Sequence, residues 1–248
     1  MTITNSTPEK ANVFIELFDM IAAPRQAMMR INLHPRSWWF PALLALLTAL
    51  FVLWTSLDYL LEVAQRAAQL QLSAQDLPPE QLETAQAMMD RLMQPNFMLI
   101  QGAIGILLGL VLAWALNTLI IYLSASIGGA DPKASSMWAL VVWTWVPFIV
   151  RNVVYGVFGL FSDVFSRSPG LTWFVSTGDI IADQGNPVYV AAAQVDIFAL
   201  WHLILIYILL RTPVSMGRTG AIIVTLLYAL INLGLRVGIS QLSGLVGG

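Results

Sequence analysis

The 248 residues contain no cysteine. That removes disulfides, thiolate metal sites and cysteine nucleophiles at once. Histidine is almost as scarce. His34 and His202 are the only two, too few for an HExxH zinc site or a histidine-rich metal site. Charge is the third shortage: Lys, Arg, Asp and Glu make up 10% of the chain, against about 25% in soluble domains. The net charge is −2 and the basic residues are scattered singly, so no nucleic-acid partner is expected. A glycine-rich phosphate loop is missing too, because Gly128-Gly129 runs into Asp131-Pro132 rather than a lysine-bearing helix start. No serine stands at a glycine elbow, and intramembrane aspartyl chemistry would need two deep acids where only Asp196 lies within an apolar run. The expectation is a protein that is not an enzyme and takes no cofactor and no metal.

What the chain does have is apolar surface: 58% of it is hydrophobic, with a mean hydropathy of +0.74. These residues come in blocks of membrane length rather than amphipathic periods, so the solvent is a lipid bilayer. The pattern predicts an all-α polytopic membrane protein, a five-helix transmembrane bundle with an N-terminal amphipathic helix and an extracytoplasmic helical hairpin. The spans fall at about 38–56, 97–124, 137–161, 188–211 and 221–239. Residues 1–37 form a cytoplasmic amphipathic leader and 38–248 the transmembrane domain. No cleavable signal is expected, since the first apolar run starts only near Trp38.

Within the leader, Thr7-Pro8-Glu9 reads as a helix start, and Phe14, Leu17, Phe18 and Ile21 share one face. Pro24 opens a second segment that Pro35 closes. Such a leader can lie in the headgroup plane or dock on the bundle. After the first span the pattern continues to Leu70 as an amphipathic helix. A turn at Asp76–Glu80 then leads to a second helix, Glu80–Met93, and the two make the outer hairpin. In the second span Gln101, Gly105, Gly109, Ala113 and Asn117 recur every four residues and form one stripe, read as a helix-packing seam centred on Gly105, Gly109 and Ala113. Pro147 lies inside the third span and should release a carbonyl near Trp143. Tyr228, Asn232 and Arg236 share a face of the fifth span.

Lysine and arginine set the orientation. With the N-terminus inside, the inner segments hold Lys10, Arg25, Arg30, Arg36, Lys133, Arg211 and Arg218, and the outer loops only Arg66, Arg91 and Arg167. N-terminus cytoplasmic and C-terminus outside is the expected topology. The other two arginines, Arg151 and Arg236, lie in spans, as do Asn152, His202 and Asp196, the last in the outer third of 188–211. A charge at a helix centre costs roughly 2.5–3.5 kcal/mol on insertion scales, so partners are expected. Asp196 is assigned to Arg236, with Arg151 on backbone oxygens freed by Pro147 or sharing Asp196. His202 falls about 120° round the helix from Asp196, which is poor geometry for a relay. These residues are read as structural, holding the bundle together.

Three segments, FDMIAAPRQAMMRINLHP, IGGADPKASSMWALVVWTWVP and VDIFALWHLILIYILLRTPVSMGRTGAIIV, resemble the YIP family of Ypt/Rab-interacting membrane proteins and their bacterial relatives. The resemblance covers nearly the whole chain except the two outer loops. Its family-like positions are Pro24, Pro35, Gly128, Gly129, Pro147, Asp196, Phe198 and Trp201. It implies a five-span helical bundle with no known catalytic activity. Eukaryotic members bind prenylated Rab-type GTPases through a longer cytosolic domain. Here that region is short and lacks the Asp-Leu-Tyr-Gly-Pro signature, of which Asp19 and Pro24 are an echo, so a Rab-type GTPase is not an expected partner. The short leader fits the bacterial branch, and so a bacterial cytoplasmic membrane. Some bacterial members accompany ABC-type export systems. The resulting expectation is a non-catalytic protein that binds or organises other integral membrane proteins, including ABC exporter components. The alternative is a small transporter or proton-coupled component using Asp196, Arg151 and His202.

Overall fold

The computed structural model describes residues 12–75, 78–162 and 167–246, the last five by backbone only. The expected helix start at Thr7–Glu9 and part of the Asp76–Glu80 turn lie outside the described residues. What is described is helical, with no strand among these residues. Helices α1 (Val13–Ala22) and α2 (Pro24–Leu33) form the leader, and a short 3-10 turn at Pro35–Trp38 joins them to α3 (Trp39–Thr55). Then come α4 (Leu57–Ala74), α5 (Pro79–Leu92), α6 (Pro95–Ile127), α7 (Ala134–Trp143) and α8 (Val146–Gly159). Two short helices, α9 (Ile180–Gly185) and α10 (Pro187–Ala192), precede α11 (Ile197–Arg211) and α12 (Arg218–Val246).

Four stretches are long and apolar enough to cross a membrane: Pro35–Thr55, Pro95–Ile127, Ala134–Gly159 and Arg218–Gln241. The fourth expected span, 188–211, is not one helix. Its regular part, Ile197–Arg211, has 15 residues and a length of about 22 Å at 1.5 Å per residue. A hydrocarbon core is about 30 Å thick. Hydropathy averaged over 188–211 hides the interruption, because alanine and valine score as apolar whether or not they are helical.

The leader uses two faces. Met20, Ala27, Met28 and Ile31 are fully buried and pack into the main core with Met137, Leu140, Trp143, Leu205 and Leu209. On its other side Phe14, Ile15, Phe18 and Ile21 are exposed, as are Trp38 and Trp39 just beyond it. The leader therefore docks on the bundle and still presents an apolar face, where the sequence left these as alternatives. Asn12 caps α1 on the Phe14 N–H, and Arg30 of α2 pairs with Asp19 of α1. Ser136 Oγ donates to Asn32 Oδ1 at 2.5 Å, tying the leader to α7. Glu16 is the odd member of this interface, 1% exposed. Burial pushes its carboxyl above the ordinary range, and Ser37, Arg30 and His34 offset this only in part.

The packing seam on α6 is not where the stripe put it. Gly105 and Gly109 face open space, with nothing within 4 Å of where a Cβ would stand. The glycine that a neighbouring helix approaches is Gly102, where a Cβ would stand 2.9 Å from the Leu53 side chain. Only the end of the stripe is buried, at Asn117, beside Trp114 and Ile121. A four-residue period marks a face but not which face meets a neighbour. Closer contacts bind α3 to α8. A Cβ on Gly156 would meet the Phe51 ring at 2.3 Å, and one on Gly159 would meet Thr55 Oγ1 at 2.7 Å.

The turn after α6 follows its glycines. Gly129 has φ +80, its N–H bonds the Ser126 carbonyl at 3.1 Å and the Ala130 N–H bonds that of Ala125 at 3.0 Å. This is a Schellman ending, which needs a left-handed residue. At the end of the bundle away from the leader, Arg167 bonds Glu62 at 2.5 Å and lies over the Tyr59 ring. Nearby, Asp183 accepts from Ser176 Oγ (2.6 Å) and from the Thr177 N–H and hydroxyl (2.8 Å each). Burial alone would raise its carboxyl, but these bonds outweigh it and hold the group below its usual range.

Candidate functional site

Two interruptions in apolar helices face each other and enclose a cavity of about 180 Å³. The first follows from Pro147, which has no N–H to continue the ladder. Helix α7 ends at Trp143 and α8 begins at Val146, and the Phe148 N–H turns to the Trp145 carbonyl at 2.9 Å. The released carbonyl that finds a partner is that of Thr144, one residue beyond the expected position. His202 Nδ1 reaches it at 2.7 Å. A carbonyl can only accept, so Nδ1 carries the hydrogen, and in the neutral ring Nε2 accepts from the Tyr228 hydroxyl at 2.8 Å. The imidazole also lies 4.8 Å from the Phe148 ring centroid.

The second interruption is the break between α10 and α11. Asp196 has extended backbone, φ −141 and ψ 174, and is the N-cap of α11. Its Oδ1 accepts the Ala199 N–H at 2.6 Å. Short polar side chains satisfy the orphan N–H groups of a first turn, so the acid sits at a helix start and not inside a span. Its Oδ2 lies 3.4 Å from Arg151 Nη1. The expected pairing of Asp196 with Arg236 does not form, whereas the contact of Arg151 with Asp196, the other arrangement the sequence allowed, does. The ion-pair partner is Arg151 of α8, whose guanidinium also lies over the Phe148 ring at 4.8 Å. Arg236 lines the same cavity, but makes no ion pair among the described residues.

The loop before α9 closes the break. The Leu171 N–H bonds the Ala192 carbonyl at 3.1 Å. Gly170, at φ +59, lies so close that a Cβ would stand 2.7 Å from the Ala192 carbonyl oxygen and 2.9 Å from that of Val195. In hydrocarbon, irregular backbone survives only where protein covers it or it lines a cavity; this break is covered by the loop and borders the cavity.

Of the residues singled out in the sequence, Asn117, Arg151, Asp196, His202 and Arg236 meet at this cavity. Asn152 lies outside its lining, and Gly105, Gly109 and Ala113 take no part. The family-like residues divide by task. Pro24 starts α2, Pro35 starts the 3-10 turn, and Gly128 lies under Met216. Trp201 packs against the main core, and Phe198 is half-buried in the first turn of α11. Sequence reasoning missed Gly170, Gln194 and Phe148. The first had a signal, Pro169-Gly170 in a loop, but nothing to say what it would touch. No group of three or more His, Asp or Glu side chains suited to a metal ion occurs among the described residues.

A family model for the Yip1 domain matches residues 18–238, most of the chain and all of the cavity. The chain belongs to the Yip1 family of membrane proteins. Comparison with curated proteins and with solved structures gave no match.

Proposed function

Starting from membership of the Yip1 family, we propose that this protein is a non-catalytic integral membrane protein that binds or organises other membrane proteins, as an accessory or assembly factor of an ABC-type export complex. The observation that carries the reading lies outside the cavity. Helices α4 and α5 bury one side chain between them, Ala68, so they add little to the protein's own core and leave their faces for a partner. Leu70, Met88 and Leu92 are exposed there. In this reading α4 and α5 are an outer hairpin, and α11 with the break before it completes a fifth crossing. The N-terminus is cytoplasmic and the C-terminus outside, in a bacterial cytoplasmic membrane, as the excess of Lys and Arg on the leader side favours. A Rab-type GTPase is not a partner.

Photo-crosslinkers placed between Gln81 and Arg91 in cells test this. Recovery of an export permease or its periplasmic adaptor supports the proposal; its absence at every position contradicts it. The broken fourth run favours a second reading, a small transporter, because interrupted helices with buried charges mark substrate sites in carriers. Flux in proteoliposomes that disappears in Asp196→Asn while the bundle stays folded would select it.

A further inference from the structure

The cavity holds more positive than negative charge. Among the described residues Arg151 and Arg236 line it and Asp196 is the one carboxylate in its wall, the remaining polar groups being the amides of Asn117, Gln194 and Asn232, the His202 ring, the Tyr228 hydroxyl and the Trp145 indole N–H. Asp196 is committed: one oxygen holds the start of α11 at 2.6 Å, and the other reaches Arg151 only at 3.4 Å. A charge-assisted bond is usually about 2.7–2.9 Å. Arg151 Nε is buried without a hydrogen-bond partner among the described residues, and so is the indole N–H of Trp145, another residue of the lining; both are donors. An excess guanidinium at membrane depth calls for a counter-charge.

We infer that this cavity binds a phosphate-class oxyanion between the Arg151 and Arg236 guanidiniums. The planar forks of two arginines suit a tetrahedral oxyanion, which can accept from both at once. One negative charge balances the site, the charge of a phosphodiester headgroup or of singly ionised phosphate. Leu200, Leu203 and Leu233 share the lining, so the polar end of an amphiphile would have its apolar part accommodated. Leu200 and Arg236 are exposed, so the cavity reaches the bundle surface beside them. The inference goes beyond the scaffold reading and holds whether or not the protein moves a solute.

The test uses the full chain in mild detergent, stripped of lipid, with thermal unfolding followed at fixed ionic strength. One arm titrates phosphatidylglycerol, the other inorganic phosphate. A saturable rise in Tm in the first arm alone assigns a lipid headgroup, and one in the second alone assigns a free oxyanion. Arg236→Gln should weaken the effective ligand by about tenfold or more, the loss expected for a charged hydrogen bond. Because Arg236 bonds no described residue, this variant should fold. If its yield falls, Arg236→Lys, which keeps the charge and loses the fork, serves instead. No rise in either arm, or an equal rise in wild type and variant, overturns the inference.

Discussion

The protein interrupts two of its apolar runs, and it does so in opposite ways. At Pro147 the chain loses a donor and a carbonyl is set free; at Asp196 the helix starts late and its N–H groups are set free. The first break spans two residues, so α7 and α8 still read as one crossing of 26 residues. The second ends the helix and leaves α11 short. Each defect is satisfied by the partner segment or its own cap: His202 of α11 takes the Thr144 carbonyl, while Asp196 caps α11 and turns its second oxygen toward Arg151 of α8. A missing donor can be mended by one side chain from across the bundle. A missing turn needs a cap, a counter-ion and a covering loop.

The largest effect should come from removing the link that serves both. His202→Phe keeps an aromatic ring, slightly larger, but leaves the Thr144 carbonyl and the Tyr228 hydroxyl without their His202 partner. At about 1–3 kcal/mol for each buried group left unsatisfied, a loss of about 3 kcal/mol is expected in reversible unfolding in detergent. A loss under ~0.5 kcal/mol, the range of surface substitutions, would mean that the two breaks are not coupled through this ring. Next comes Gly170→Ala. Left-handed backbone costs a residue with a Cβ roughly 1–2 kcal/mol, and here the Cβ also meets backbone oxygens, so destabilisation of about 2 kcal/mol should localise to the break. Exchange protection lost there and kept in α7 would distinguish it from general unfolding.

Asp196 separates capping from charge. Asp196→Ala removes both and should cost about 1–2 kcal/mol in the range of lost N-caps; Asp196→Asn keeps a capping oxygen and should recover more than half of that. Equal losses would assign the residue to Arg151 rather than to the helix start. Its coupling in a double-mutant cycle should appear with Arg151 and not with Arg236.

Glu16 supplies a contrast outside the spans. Its folded carboxyl lies above the ordinary range, so its contribution to leader docking is greatest when protonated and declines as pH rises through that value. Leader protection against proteolysis should increase on acidification, and Glu16→Gln should hold it at the acid level at neutral pH. Persisting pH dependence in the variant would point to another group. The smallest effect should be Pro147→Ala, about 1 kcal/mol, because the buried ring carbons it removes are partly offset by an N–H able to rejoin the helix ladder.

These two breaks also separate what could be read in the residues from what could not. Pro147 announces itself, since the chemistry of proline is local, and the freed carbonyl was expected within one residue of its place. Asp196 before Ile197-Phe198-Ala199 has the form of an N-cap, but the apolar residues on both sides made one membrane-length run the simpler reading. Its counter-ion depended on which helices pack together, a property of the bundle rather than of any one span. The same limit applied on α6, where the spacing of Gly105 and Gly109 was correct as a face and wrong as a contact. The helical class, most helix positions and the membrane character followed from blocks of hydropathy. The meeting of Asn117, Arg151, Asp196, His202 and Arg236 at one cavity did not, because it is set by long-range packing.

Amide hydrogen exchange across 188–211, with the protein in lipid nanodiscs, tests the central claim most directly. Fast exchange at residues 196–198, the amides that a helix start at Asp196 leaves without backbone partners, beside strong protection from Leu200 to Leu210 is the predicted result. Uniform protection from Val188 to Arg211 would mean one unbroken helix, and would contradict the account of Asp196 as its start.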